Sequence, residues 1–189
     1  MSSLTVQNIQ GSASSSNTIN VASGHKISGN ITHGTSSVFP AGHIIQVVHV
    51  LFSDSTSISS STFTDVTGAT LTITPKFASS KIYLETDLGV YVVVSGSNYA
   101  YGGSKVLRGS STEVSCTNMT DGNGPYTYGA SSTGTYTQLD ARHRYSVFDS
   151  PNTTSAVTYK VQGARYAAGT ILYNQGGGTS RLIAMEIAQ

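Results

Sequence analysis

The chain has 189 residues, only 10 % of them charged, and a formal net charge of +1, which excludes an acidic or basic tail and makes nucleic acid a poor partner. It carries 30 Ser, 24 Thr, 20 Gly and 11 Tyr but no Trp, a mix that disfavours helices and suits strands and turns. The fold class read from this is all-β, in one ordinary domain with an appendage.

Residues 1–40 differ from the rest, because Lys26 is their single charged residue and Phe39 their first aromatic. Apolar residues come as isolated beads, Leu4, Val6, Ile9, Ile19 and Val21, then Ile27 and Ile31, spaced by Gly and Ser. Such a segment cannot bury enough surface of its own to offset its ordering entropy. It is expected to be extended, built of short strands, and ordered by identical chains or by docking to a larger body. It lacks the basic start and continuous apolar run of a signal peptide, and no stretch approaches the roughly 20 apolar residues of a membrane span, so no membrane insertion is expected.

Phe39-Pro40-Ala41-Gly42 punctuates the chain and places a domain boundary, giving 1–40 and 41–189. Residues 43–52 are apolar on both faces, the pattern of a strand covered on two sides, either centrally or at a subunit interface. A Ser/Thr loop separates it from short strands at 63–66 and 69–74, the latter ended by Pro75, which has no donor for the ladder.

The stretch 82–95 is the most legible. Ile82, Leu84, Thr86, Leu88, Val90, Val92 and Val94 alternate with Tyr83, Glu85, Asp87, Gly89, Tyr91, Val93 and Ser95, the period of a half-buried strand. It would run more than about 40 Å, so a bend or bulge is expected at Gly89. Beyond it, 105–108 and 112–118 pair around Gly109-Ser110, and 120–138 is a long polar loop. Strands return at 143–148, 157–161, 164–174 and 181–187. Short strands in this number suit a two-sheet antiparallel β-sandwich, jelly-roll-like.

No catalytic motif is present: there is no Gly-x-Ser-x-Gly, P-loop or His-Glu-x-x-His, and the chain reads as no enzyme. Glu85 and Asp87, the close carboxylate pair, fall on the wet face of the long strand. His43 and His49 share strand parity but lie about 20 Å apart by strand rise, too far for one ion, so neither a metal nor another cofactor is called for. Cys116, the single cysteine, permits no internal disulfide and reads as a small buried hydrophobe. The tyrosines are more suggestive: Tyr99, Tyr101, Tyr126, Tyr128, Tyr136 and Tyr173 lie in or beside Gly-rich segments, where amphipathic rings stack on sugars or protein. Filling gaps between sheets or subunits is an equal alternative for them.

The succession Ile44-Ile45-Gln46-Val47-Val48, Thr62-Phe63-Thr64-Asp65-Val66-Thr67-Gly68, Leu71-Thr72-Ile73-Thr74-Pro75, Ser79-Ser80-Lys81-Ile82, Val106-Leu107-Arg108-Gly109, Asp149-Ser150-Pro151-Asn152-Thr153-Thr154-Ser155, Thr158-Tyr159-Lys160-Val161 and Met185-Glu186-Ile187-Ala188-Gln189 resembles a family of tail-fibre-like virion proteins of marine and cyanobacterial bacteriophages. The leader Leu4-Thr5-Val6-Gln7-Asn8-Ile9-Gln10 resembles the usual start of such proteins. The resemblance implies a homotrimer made in the bacterial host cytoplasm and carried on the virion tail. Its N-terminal segment, with Leu4, Val6, Ile9, Ile19 and Val21, would dock to a tail or baseplate protein. Its distal domain would meet a host cell-surface glycan or protein through 98–105 and 121–138, hence Tyr99, Tyr101, Tyr126, Tyr128 and Tyr136. Because the chain has no long shaft, capsid decoration or another tail-structural role is the alternative.

Overall fold

A computed structural model describes residues 39–94, 99–114, 126–130 and 137–189, with 99, 126–130, 137 and 138 described by their backbone. The chain divides into two units after Val38, and the second, Phe39–Gln189, is the one described here. It is an antiparallel β-sandwich. The strands are β1 (Ile44–Phe52), β2 (Thr56–Ile58), β3 (Thr64–Ile73), β4 (Lys81–Val94), β5 (Tyr99–Arg108), β6 (Thr112–Glu113), β7 (Tyr126–Ala130), β8 (Thr137–Asp149), β9 (Val157–Ala167), β10 (Thr170–Tyr173) and β11 (Ser180–Ile187).

The alternating stretch at 82–95 is the spine of the first sheet. Strand β8 pairs with β4 along its whole length, from Ile82↔Asp149 to Val94↔Thr137. On the other flank β11 and β10 lie end to end, with β1 beyond β11 and β2 beyond β10. The second sheet runs β3-β9-β5, and β5 is flanked on its far side by β7 and β6. The principal strands thus form two layers, β1-β11-β4-β8 and β3-β9-β5-β7, the jelly-roll arrangement.

The inner residues of both layers make one core. Ile82, Leu84, Leu88, Val90 and Val92 from β4 meet Val106 of β5, Tyr159 and Val161 of β9, and Ile73 of β3. Each is lifted from water by the period-two pleat, which contributes about 1.5–3 kcal/mol for a fully buried aliphatic side chain.

Of the bend or bulge expected at Gly89, no bulge occurs in its pairing with β8. Pairing with β8 continues through it, from Leu88↔His143 to Val90↔Ala141. It marks instead the gap on the opposite flank between β11, which pairs as far as Asp87, and β10, which begins at Val90. There the Gly89 N–H donates to Ser180 Oγ and its carbonyl accepts from the Asn174 N–H, so the backbone groups skipped by the ladder are satisfied.

Strand β1 is not central: it forms an edge, with Val48, Val50 and Phe52 turned to the core and Val47 and Leu51 exposed on the outer face. The segments at 99–105 and 126–130, read as loop from their Gly, Ser and Thr content, are strands β5 and β7. Small inward residues explain this. A Cβ on Gly102 would lie 1.3 Å from Ile171 Cδ1, so glycine lets β10 press against β5 from the opposite layer.

Among the described residues two of the buried carboxylates, Glu186 and Asp149, face into the sandwich. Glu186 faces inward with no exposure; its Oε1 accepts the N–H groups of Lys76 and Phe77 at 2.7 and 3.1 Å, and its Oε2 accepts Gln46 Nε2 at 2.6 Å. It pins the turn that follows β3. Asp149 accepts two bonds from Arg108 Nη1, at 2.8 and 2.9 Å, and one from the Tyr159 hydroxyl at 2.7 Å. Burial and this carboxylate push the Tyr159 phenol well above its usual range.

Candidate functional site

The outer face of the second sheet carries an aromatic row. Along β5 the inward residues are Ala100, Gly102, Ser104 and Val106, which leaves Tyr101, Gly103 and Lys105 on the outside. Register places Tyr101 opposite Tyr166 of β9 on one flank and opposite Tyr128 of β7 on the other. Three adjacent strands therefore bring tyrosines to one level. The rings of Tyr101 and Tyr166 lie 4.8 Å apart at 33°, a tilted pair of the kind worth about 0.5–1.5 kcal/mol beyond burial. Tyr166 is 43 % exposed, so the pair presents ring surface to solvent. Tyr99 and Tyr126 stand two positions before Tyr101 and Tyr128 on the same strands, and Gly103 lies opposite Tyr126.

The same face is ion-paired further along. Lys105 Nζ sits 4.2 Å from the Phe63 ring centre and 3.2 Å from Glu113 Oε2, and Asp65 accepts from Lys160 and Gln162 at 2.9 and 2.6 Å. The bonds from Gln162 and Lys160 hold the Asp65 carboxyl below the usual carboxylate range. Exposed ring faces beside neutralised charge can stack on the apolar face of a sugar or pack on protein, while phenol groups offer hydrogen bonds at the rim.

Of the residues singled out from sequence, Tyr101 takes part in this row directly. Tyr99, Tyr126 and Tyr128 are placed on β5 and β7 by backbone, while Tyr136, Leu4, Val6, Ile9, Ile19, Val21 and Cys116 lie outside the described residues. Tyr173 belongs elsewhere. It is fully buried, and its hydroxyl lies 2.9 Å from Ser104 Oγ and donates to the Gly103 carbonyl at 3.3 Å, so it fills the space between sheets. Burial pushes its phenol well up. Tyr166 escaped the sequence reading although a signal was there: it is an aromatic on the parity of β9 that carries Thr158, Lys160 and Gln162.

Other chemistry-bearing groups are closed off or neutralised. Ser104 Oγ lies 2.9 Å from His143 Nδ1, but Ser104 is 0 % and His143 2 % exposed, so no substrate reaches the pair. Burial pushes the His143 imidazole down to about 4. Asp87, expected on a wetted strand face, is covered by Arg142 and Arg144, whose Nε atoms donate at 2.7 and 3.0 Å. The bond from Arg142 is the main cause that holds its carboxyl low. Among the described residues no His, Cys, Asp or Glu trio converges as a metal site, and no helix is long and apolar enough to cross a membrane.

No protein-family model matches the sequence, and no curated protein does. A solved structure with a weak likeness is the infectious bursal disease virus VP2 subviral particle, at 14 % identity and a TM-score of 0.32, over 76 % of this chain and 37 % of that one. A likeness of that grade carries no argument about this chain.

Proposed function

We propose that this chain is a structural protein of a bacteriophage particle, a short homotrimeric tail fibre whose β-sandwich recognises the host surface. The single observation that supports recognition is the row in which register aligns Tyr128, Tyr101 and Tyr166 across three strands. The ligand class is a host envelope glycan, or a protein with a comparably flat polar surface. The N-terminal segment, through Leu4, Val6, Ile9, Ile19 and Val21, docks to the tail or baseplate, and no catalytic step and no cofactor is involved. Support for the phage assignment is the blockwise resemblance set out above, together with a composition too poor in charge to keep a solitary particle protein dispersed.

The experiment is adsorption. Fluorescently labelled full-length protein is expected to bind the cells of a susceptible bacterial strain, to compete with phage for adsorption, and to bind envelope polysaccharide from that strain. Absence of binding to any strain the phage infects would contradict the recognition role and leave a capsid-decorating or tail-structural role in its place.

A further inference from the structure

Tyr101 and Tyr166 stand directly opposite each other on β5 and β9, and these strands stay paired from Ala100↔Ala167 to Arg108↔Tyr159. Facing residues of an antiparallel pair carry their Cβ atoms about 4.5–5.5 Å apart, so the ladder itself keeps the two rings together. The ring centres lie 4.8 Å apart at 33°. Among the described residues this is the one ring contact between two tyrosines.

We infer that Tyr101 and Tyr166 form an oxidative cross-linking site, where a one-electron oxidant fed by hydrogen peroxide joins the rings as dityrosine and ties β5 to β9 covalently. The inference stands on ring geometry and access, and it is independent of the recognition reading above.

The chemistry closes on the pair and the peroxide. Each phenol gives up one electron and its hydroxyl proton, leaving a phenoxyl radical whose unpaired electron is shared with the ring carbons beside the oxygen. Two such carbons, one from each ring, form the new C–C bond, and the hydrogens they carried move to the oxygens, which restores both phenols. The two electrons and two protons that leave the pair reduce one hydrogen peroxide to two waters.

Access and competition favour this pair. Tyr166 is exposed, whereas Tyr159 and Tyr173 are fully buried and out of an oxidant's reach. Tyr83 leans on Phe148, which has no phenol to supply a second radical. The chain has no Trp to intercept the radical. A radical on either ring therefore meets its partner in the same sheet first, the advantage that fixed proximity gives over a bimolecular encounter. The bond closes a loop of chain between positions 101 and 166, and such closure stabilises chiefly by restricting the unfolded state. Cys116, the single cysteine, permits no disulfide within the chain, so the phenol pair offers a tie that cysteine cannot.

The test treats dilute, folded, full-length protein carrying Cys116→Ser, which removes the competing thiol, with a haem peroxidase and hydrogen peroxide. Dityrosine fluorescence is followed, and the digested chain is mapped by tandem mass spectrometry. The expected product is a cross-link between the peptides of Tyr101 and Tyr166, formed within one chain, so that the denatured protein stays at its 19.7 kDa chain mass. Its yield should not change with protein concentration. Tyr101→Phe and Tyr166→Phe keep the rings and remove one phenol, and each should lose the product. Protein unfolded in urea should give scattered tyrosine pairs instead. Absence of the 101–166 cross-link from the oxidised, folded protein overturns the inference. So does an equal yield of it from the unfolded chain, dityrosine fluorescence unchanged in either Phe variant, or a cross-link that joins Tyr101 to Tyr128 in its place.

Discussion

Ser104 and His143 meet across the core, Oγ to Nδ1 at 2.9 Å, and so tie β5 of one sheet to β8 of the other through a hydrogen bond with no access to water. Burial, rather than the contact itself, keeps the imidazole neutral. In the unfolded chain the group titrates near 6.5 and in the fold at about 4, so the unfolded state takes up the proton first. Stability is complete above pH 6.5 and declines as pH falls towards 4, by roughly 3 kcal/mol in total at 1.36 kcal/mol per unit. Urea unfolding at a series of pH values should show that slope, and His143→Gln should flatten it.

Glu186 supplies the second test of the interior. Its removal leaves the Lys76 and Phe77 amides and the Gln46 amide without their acceptor. Glu186→Ala is expected to cost about 2–4 kcal/mol, the range for stranding partners of a charged group. Hydrogen exchange locates the effect: protection should drop first at Lys76 and Phe77. A variant with wild-type stability and exchange would show that the turn after β3 is held by something else.

Gly102 and Ile171 are predicted to be energetically coupled, since a Cβ on one would overlap the side-chain end of the other. Gly102→Ala should destabilise by about 1–3 kcal/mol, the cost of overpacking a filled core. Ile171→Val in that background should recover part of the loss, so the double-mutant cycle gives a non-zero coupling energy. Strict additivity would contradict the packing described.

How far the sequence reveals this molecule depends on which physical signal each part carries. The period-two alternation at 82–94 announces the spine, because one face is aliphatic but for Thr86 and the other mixed. Pro75 and the Asp149-Ser150-Pro151-Asn152 turn likewise mark real strand ends. The strand at 99–108 is hidden, since Tyr-Ala-Tyr-Gly-Gly-Ser shows no hydrophobic alternation; its inward positions are small to admit Ile171 and Tyr173 from across the core. Gly89 misleads for a related reason. A glycine inside a strand signals a bulge when read along one chain, but here it answers to a gap between two neighbouring strands that only the topology reveals. Tyr101 was visible as a candidate and Tyr166 was not, because pairing between β5 and β9 joins positions 65 residues apart.

The account stands or falls most directly on the aromatic row. Binding of the Tyr101→Ala/Tyr166→Ala double variant to susceptible cells should be measured against wild type by titration, with thermal unfolding recorded on both. The account predicts a fall in affinity of at least tenfold, equal to about 1.4 kcal/mol, with the protein still folded and still assembled. Wild-type affinity in a folded double variant would contradict it.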